Sequence, residues 1–286
     1  METAHAVRRI ERVPPATYFV GSAVFHYLGP AFAVLLFALV PPLGVAWLRI
    51  AGAALIFAAW RRPSRAVTAG VGPLVVAMGT VLAVMNVCFY VAVDRLPLGT
   101  VAAIEFLPVI ALAALGARTP RNGAALALAV GGVYLLTDVQ LAAEPVGLAF
   151  AFANAGLFAL YIVLAHRVAQ NGAISGIDGL AAAMLVALVV ATPLGGWAAV
   201  PAFLSPVALL AGLGVAVTSS VIPYVCDQLA MARMPRATYA LLVSLLPATA
   251  TVIGIVVLGQ IPSGLEVAGV ALVVFGVAVH REPPDR

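Results

Sequence analysis

The sequence alternates between long apolar runs and short breaks that contain proline, glycine or arginine. The runs are rich in Leu, Ala, Val and Gly, and each is close to the roughly 20 residues that a helix needs to cross the hydrocarbon core of a bilayer. The breaks divide the chain into ten predicted spans, five in each half, so we predict an all-α, polytopic membrane protein. The predicted spans are residues 16–39, 42–60, 70–91, 98–116, 122–138, 146–166, 177–196, 206–228, 237–258 and 264–280.

One stretch of the sequence occurs twice. The stretch NVCFYVAVDRLPLGTVAAIEFLPVIA begins at Asn86 and returns in weakened form as YVCDQLAMARMPRATYALLVSLLPATA from Tyr224. Pro97 aligns with Pro235 at an offset of 138 residues, which also aligns the two cysteines of the chain. An internal repeat of this length in an apolar chain indicates a transporter built from two related halves.

The arginines are distributed unevenly among the predicted loops. With a cytoplasmic amino terminus, thirteen arginines face the cytoplasm, Arg95 alone lies in an outer loop, and Arg49 lies within a span. This bias predicts that both termini are cytoplasmic. Because each half has an odd number of spans, the second half enters the membrane from the opposite face, and the repeats are predicted to be inverted. The predicted segments are a cytoplasmic start (1–15), a first repeat (16–138), an outer linker (139–145), a second repeat (146–280) and a cytoplasmic tail (281–286).

Composition supports the membrane assignment and excludes several kinds of site. Hydrophobic residues make up 64% of the chain and charged residues 9%, and the mean hydropathy is +1.12, which leaves too little polar surface for a soluble globule. All fifteen basic residues are arginine, so no lysine is present to form a Schiff base. Cys88 and Cys226 lie in apolar spans and are interpreted as small core residues. The four scattered histidines predict no metal site, and we expect no cofactor and no nucleic-acid partner.

Two opposite charges are predicted at the same depth in the bilayer. Arg49 lies seven residues into the second span and Glu105 seven residues into the fourth, and both spans run from outside to inside. At a rise of about 1.5 Å per residue, both lie roughly 10 Å below the outer face. They are predicted either to form a structural ion pair or to leave Glu105 available for a substrate ammonium group or for proton coupling.

Several polar and aromatic residues share helix faces and are predicted to line a solute cavity near the midplane. Ser22 and His26 lie one turn apart in the first span, and Asn86 and Tyr90 lie one turn apart in the third. A satisfied interior histidine is the alternative for His26, and core packing is the alternative for the aromatic residues. The predicted substrate contacts are Ser22, His26, Asn86, Tyr90, Glu105, Asn154, Phe158, Tyr161 and Tyr224.

A second set of residues is predicted to serve structure or coupling. Asp227 lies near arginines at the cytoplasmic end of the eighth span and is interpreted as a paired boundary charge. Pro108, Pro223 and Pro247 free carbonyls about one turn earlier and allow kinks. Small residues at Gly212, Ala216 and Ser220 recur at intervals of four and are interpreted as a close-packing helix face.

Four segments together resemble the drug/metabolite transporter superfamily, and within it the EamA-type exporters with ten spans. These segments are LRIAG (48–52), NVCFYVAVDRLPLGTVAAIEFLP (86–108), LFALYIVLAHR (157–167) and SSVIPYVCDQLAMARMPRATYALLVSLLPATA (219–250). The nearest resemblance is to the bacterial threonine/homoserine exporter group.

The resemblance implies export of amino acids by alternating access, and it places Arg49, Asn86, Tyr90, Glu105 and an acid at the position of Asp227 where similar exporters have such residues. Two departures bear on the solute: Phe158 stands where tryptophan is often found, and the first span lacks a basic residue near its outer end.

We therefore expect an inner-membrane transporter that exports small amino acids. Aromatic amino acids, other metabolites and cationic drugs are the alternative substrates, and the chain is expected to act as a monomer in the bilayer. An intramembrane enzyme would need paired acids, a Ser/His pair or metal ligands in a recognisable motif, and none is found. A channel would need rings of like charge in a symmetric oligomer, whereas this chain has unlike halves and single charges.

Overall fold

The computed structural model describes residues 15–61, 72–116, 119–141, 144–170, 176–223, 226 and 246–279. Within these ranges every regular element is helical, which confirms the all-α prediction for this part of the chain. The helices are α1 (Pro15–Leu36), α2 (Pro42–Trp60), α3 (Gly72–Val93), α4 (Leu98–Gly116), α5 (Pro120–Leu141), α6 (Pro145–Gln170), α7 (Gly176–Ala191), α8 (Pro206–Ala216), α9 (Leu246–Leu258) and α10 (Gly264–Val279).

Proline and serine at the helix starts explain why the sequence predicted these boundaries well. Five helices, α1, α2, α5, α6 and α8, begin at a proline, whose fixed φ suits the first helical turn and whose missing N–H costs nothing there. Ser205 caps α8 by accepting a hydrogen bond from the Ala208 amide. Ser263 and Glu266 form a reciprocal capping box at the start of α10.

The predicted end of the seventh span at residue 196 is wrong. α7 continues through a π-helical turn (Thr192–Gly196), a 3₁₀ turn (Trp197–Ala199) and one more α-helical turn (Val200–Phe203). The wider π turn accommodates Pro193, which cannot donate an amide hydrogen bond, without ending the helix. α8 similarly continues into a π turn over Val217–Val221.

Four helical stretches in the described residues are long and apolar enough to cross a membrane: Pro42–Trp60, Gly72–Val93, Pro145–Ala165 and Ile177–Phe203. Five shorter apolar helices of 10–17 residues accompany them. Large apolar side chains on the helices, such as Val189, Leu210 and Val256, are exposed on the surface of the bundle. An exposed apolar surface of this kind is suited to contact with lipid, as expected for a polytopic membrane protein.

Two pairs of helices, α2 with α7 and α5 with α10, pack against each other in antiparallel orientation. Arg61, at the end of α2, forms an ion pair of 2.9 Å with Asp178, at the start of α7. At the opposite end of this pair, the Trp47 indole N–H donates a hydrogen bond of 3.0 Å to the Thr192 hydroxyl. α2 and α7 therefore run antiparallel along their full length.

The α5–α10 pair shows the same arrangement with a reciprocal contact. Gly132 faces the Gly269 carbonyl and Val273, while Gly269 faces the Gly132 carbonyl and Leu136, so close that a Cβ at either glycine would overlap its neighbours. Each helix thus presents its glycine to the partner's glycine and to the side chain one turn further along. Such a self-complementary contact is typical of a two-fold axis.

The packed interior of the described residues consists of two main apolar clusters, and the buried polar residues Arg49 and Asn86 lie where they meet. On α2, Leu48 belongs to the first cluster and Ile50 to the second. On α3, Met85 belongs to the second cluster and Phe89 to the first. Arg49 and Asn86 lie between these residues in the sequence, so the core is interrupted by polar groups at one level of the bundle.

Candidate functional site

A cavity lies at this level, and most of the predicted solute-contacting residues line it. Its volume is about 50 Å³, which is room for a few water molecules and far below the several hundred Å³ of pockets that enclose small-molecule ligands. The site must therefore widen before it can hold an organic solute. The lining residues are His26, Tyr27, Pro30, Arg49, Met85, Asn86, Phe89, Glu105, Asn154, Phe158 and Tyr161.

Arg49 is buried, with 9% of its surface exposed, and is held by α8. Its Nε donates a hydrogen bond of 3.1 Å to the Ser220 hydroxyl, and its Nη2 donates one of 2.9 Å to the Ser219 carbonyl. The guanidinium carbon also lies 5.8 Å from the centre of the Tyr90 ring, in the geometry of a cation–π contact. The guanidinium is therefore fixed by neutral partners.

The sequence explains why the Ser219 carbonyl is available to Arg49. In an α-helix this carbonyl would accept a hydrogen bond from the amide four residues later, but that residue is Pro223, which has no N–H. The π turn over Val217–Val221 also widens α8 at this point. π turns inside α-helices are frequent at functional sites.

The small-residue face of α8 packs on α2, as predicted. A Cβ at Gly212 would touch Leu48, and a Cβ at Gly52 would touch Ala216. The third member of the face, Ser220, has a different role, because its hydroxyl accepts a hydrogen bond from Arg49 Nε. The close packing brings α8 near enough for that bond to form.

Glu105 is buried in α4, with 8% of its surface exposed, and is held by α6. Its Oε1 accepts a hydrogen bond of 3.1 Å from the Asn154 Nδ2. Asn154 is fully buried, and its Oδ1 has no hydrogen-bond partner among the described residues. The hydroxyl of Tyr27, 1% exposed, is likewise without a partner in that part of the chain.

Of the two alternatives predicted for Arg49 and Glu105, the direct ion pair is not formed in the structure. Both side chains line the cavity, but the ion pairs found among the described residues are Arg61–Asp178 and Arg95–Asp94. Each buried charge instead bonds to neutral groups on a helix of the other half, α8 for Arg49 and α6 for Glu105. Equal depth, which is what the sequence predicted, brings them to one cavity without bringing them into contact.

The remaining predicted contacts divide into two groups. His26, Asn86, Phe158 and Tyr161 line the cavity. Asn86 also donates a hydrogen bond of 2.8 Å to the Leu82 carbonyl, which uses one of its two amide protons. The Phe158 and Tyr161 rings stack with their centres 6.4 Å apart.

Ser22 and Tyr90 lie beside the cavity and not on its wall. Ser22 is buried, and its hydroxyl donates to the Pro223 carbonyl at 3.4 Å. Tyr90 is fully buried in the first cluster, where it meets the rings of Phe37 and Phe89 edge-on. Its neighbour Phe89 lines the cavity instead, together with Met85 and Asn86 of the same helix, because successive residues of a helix point about 100° apart.

Tyr224 and Asp227 lie outside the described residues. Of the prolines predicted to allow kinks, Pro108 is half-buried within α4, and Pro247 is buried and is the second residue of α9. Among the described residues no group of three His, Cys, Asp or Glu side chains could hold a metal ion.

A larger hollow of about 190 Å³ lies between the start of α4 and the connection from α9 to α10. It contains Gln260, whose Oε1 accepts from the Leu98 amide, and Glu266, whose Oε2 accepts from the Ser263 amide. These polar groups already cap helix starts, so this hollow is structural, and the smaller charged cavity is the stronger candidate for function.

Comparison with known proteins identifies the family and agrees with the fold. The sequence model of the EamA-like transporter family matches residues 145–280. The threonine/homoserine exporter RhtA of Salmonella typhimurium is 31% identical over 264 residues, covering 89% of this chain and 88% of the relative. RhtA of Escherichia coli is 31% identical over 250 residues, covering 86% and 84%. The chain belongs to the EamA-like transporter family.

A protein of known crystal structure shares the fold of this EamA-like chain. It superposes with a TM-score of 0.58 over 92% of this chain and 97% of that one, at 20% sequence identity. Membership of the family makes the chain a transporter and not an enzyme, which removes the intramembrane-enzyme alternative.

Four lining residues of this transporter were missed by the sequence analysis: Tyr27, Pro30, Met85 and Phe89. Three of them are ordinary apolar or ring residues in apolar helices, and nothing in the sequence separates them from core residues. Tyr27 could have been predicted to line the cavity, because a tyrosine hydroxyl in the middle of a span needs a hydrogen-bond partner or a water-filled cavity.

Adjacent serines of α8 allow a matched test of the Arg49 anchor. Ser220→Ala leaves a buried guanidinium N–H without its acceptor and is expected to cost about 1–3 kcal/mol of unfolding free energy. Ser219→Ala keeps the carbonyl that Arg49 uses and removes a hydroxyl that has no partner in the described residues, so its effect is expected to stay within about 0.5 kcal/mol. Thermal unfolding of the purified proteins in detergent measures both, and equal effects would contradict the assigned anchor.

Proposed function

We propose that this transporter exports small amino acids, such as threonine and homoserine, across the bacterial inner membrane by alternating access. The observation that carries the proposal is a cavity inside the bundle that contains two buried, opposite charges not paired with each other. Ionisable groups inside a membrane are costly and generally mark a solute or ion pathway. The printed names of the relatives, threonine/homoserine exporters, support the choice of solute.

The residues divide into a polar and an apolar part of the proposed site. Glu105 and Asn86 contact the polar head of the solute, and Phe158 and Tyr161 shape the pocket for its side chain, with His26 at the wall. Tyr90 and Ser22 support this wall from behind and reach the solute only if the helices move. Tyr224 and Asp227, both in the predicted span 206–228, remain proposed as a substrate contact and a coupling residue.

The two halves, residues 16–138 and 146–280, are proposed to be inverted repeats joined by the outer linker 139–145. Helix contacts support the repeat, because exchanging each helix with the helix five places later converts α3–α6 into α8–α1 and α4–α6 into α9–α1, and all four contacts occur. The reciprocal pairs Gly132–Val273 and Gly269–Leu136 are related by an offset of 137 residues, one less than the offset read from the sequence.

The antiparallel helix pairs support a symmetry axis in the membrane plane. If the halves were parallel repeats related by an axis along the membrane normal, corresponding helices would run parallel. α2 and α7 run antiparallel, as do α5 and α10. An axis in the membrane plane produces this arrangement, and it supports ten spans with both termini in the cytoplasm.

The small cavity fits a carrier that must change shape to accept its solute. Rocking of one half against the other would open it, and the prolines at 108, 223 and 247 supply points at which helices can bend. A channel would hold a continuous path, whereas the charged cavity among the described residues has room for only about 50 Å³. A single chain contains both halves, so a monomer is sufficient.

Transport assays with purified protein in proteoliposomes test the proposed function. Labelled threonine is expected to enter by saturable counterflow, with phenylalanine and methionine as further candidates. Glu105→Gln is expected to reduce threonine counterflow about 10–100-fold, because one charge-assisted hydrogen bond is lost. Glu144→Gln, which changes an acid at the start of α6 outside the cavity, is the matched control and is expected to retain threonine counterflow. Rates no higher than in empty vesicles for all three amino acids would refute amino-acid transport.

Cysteine labelling in intact cells tests the orientation. After Cys88 and Cys226 are replaced by alanine, Ile261→Cys in the connection from α9 to α10 is expected to react with a membrane-impermeant maleimide. Thr119→Cys, before α5, is expected to react only after the membrane is permeabilised, since both positions are exposed but lie on opposite sides. Labelling of both, or of neither, in intact cells would contradict the inverted arrangement.

A further inference from the structure

Arg49 and Glu105 each use only part of their hydrogen-bonding capacity on the helix that anchors them. Arg49 has five N–H donors, of which Nε and one on Nη2 bond to α8. Its Nη1 forms no hydrogen bond with another described residue. The side-chain atoms that are both unpaired and fully enclosed in this part of the chain do not include Nη1. The Glu105 Oε2 is in the same situation, because Asn154 bonds only to Oε1. Both groups therefore retain hydrogen-bonding capacity toward the cavity that they line.

We propose that Arg49 and Glu105 form a two-ended clamp for a zwitterion, in which Arg49 binds the α-carboxylate and Glu105 binds the α-ammonium group of the solute. The inference rests on the proposed function and narrows its substrate class to compounds that carry both charges. Cationic drugs and anionic metabolites are excluded from this class.

The carboxylate end of the clamp is rich in donors. The free edge of the Arg49 guanidinium offers a planar pair of N–H groups, which matches the two oxygens of a carboxylate. Asn86 lines the same cavity, and the second proton of its amide remains after the bond to the Leu82 carbonyl. Neither residue offers an ionised acceptor to an ammonium group.

The ammonium end is rich in acceptors. Beside Glu105, the Oδ1 of Asn154 and the hydroxyl oxygen of Tyr27 are buried and without hydrogen-bond partners among the described residues. An ammonium group has three donors, and once the cavity widens to admit the solute these three oxygens supply three acceptors for them. Buried acceptors without partners are costly, so a ligand that satisfies them all gains more than one that satisfies only the charge.

The absence of a direct ion pair is what makes the clamp selective. A zwitterion neutralises both buried charges together, whereas a cation leaves Arg49 without a counter-charge and an anion leaves Glu105 without one. Leaving a buried charge unpaired is strongly unfavourable in a medium of low dielectric constant. Discrimination thus comes from the penalty on the wrong solute as much as from the attraction of the right one.

Competition against labelled threonine in the proteoliposome assay tests the clamp. Threoninamide lacks the carboxylate, and N-acetylthreonine lacks the ammonium group, while both keep the side chain. For the unmodified transporter each analogue is expected to compete at least about tenfold more weakly than unlabelled threonine, the loss associated with one charge-assisted interaction. The comparison needs no variant, so it stands whether or not the substituted proteins fold.

Charge-removing variants add a readout that a purely structural role would not change. Binding of each compound to the detergent-purified protein is measured by thermal shift, which does not require transport. Arg49→Gln is expected to shift the preference toward threoninamide, and Glu105→Gln toward N-acetylthreonine. Arg49→Lys retains the positive charge and the preference for threonine. Arg95→Gln is the control for Arg49→Gln, and Glu144→Gln is the control for Glu105→Gln, because each removes a charge of matching sign outside the cavity. Both controls are expected to leave the order of affinities unchanged.

The outcomes separate the clamp from the function on which it rests. Threonine transport with weak competition by both analogues, and opposite shifts in the two glutamine variants, supports the clamp. Threonine transport with equal competition by all three compounds, or shifts in the same direction, overturns the clamp and leaves amino-acid export standing. Absence of transport for every amino acid refutes the proposed function itself.

Discussion

The guanidinium of Arg49 and the carboxylate of Glu105 are buried in an apolar helix bundle without touching each other. Taking a charge out of water costs several kcal/mol even in a relaxed protein interior, and the cost is usually offset by a direct partner of opposite sign. Here each charge is held by neutral groups from a helix of the other half, a serine hydroxyl and a carbonyl for Arg49 and a carboxamide for Glu105. Much of the fold serves to bring those groups into place.

The anchors require four helices to meet at one depth. α2 and α4 from the first half carry the charges, and α8 and α6 from the second half carry their partners. α8 approaches α2 closely through Gly212 and Ala216, and Pro223, which has no N–H, leaves the Ser219 carbonyl free to accept the hydrogen bond that Arg49 donates. Because both anchors cross between the halves, a movement of one half against the other changes the surroundings of both charges at once. Alternating access would use this coupling.

The fold could largely be predicted from the sequence because the residues at its helix boundaries are chemically distinct from the apolar residues within the helices. Helices that begin at proline, such as α2 at Pro42, have boundaries that follow from one residue. The end of α7 was predicted wrongly because Pro193 and the glycines at 195 and 196 ordinarily end a helix, and only the packing of α7 on α2 shows that they widen it. Gly195 lies against the Leu43 backbone and Gly44 against that of Ala198, contacts that no local pattern reveals.

The candidate site could be predicted in composition but not in connectivity. Depth along a span follows from counting residues, so the common level of Arg49 and Glu105 was accessible from the sequence. Which neighbour bonds to each depends on how the helices are rotated and packed, and Ser220 and Asn154 lie 171 and 49 residues away from their partners. The same rotation decides that Phe89 lines the cavity while Tyr90 is enclosed behind it. Helical periodicity gives relative positions on one helix, but it does not say which face turns inward when every face is apolar.

An experimental structure of the transporter with threonine bound would test the two-ended clamp most directly. We predict a wider cavity with the threonine carboxylate within about 3.2 Å of the Arg49 guanidinium and the ammonium group at the same distance from Glu105. A structure in which threonine occupies another part of the bundle, or in which Arg49 and Glu105 pair directly with each other and leave the solute outside, would contradict it.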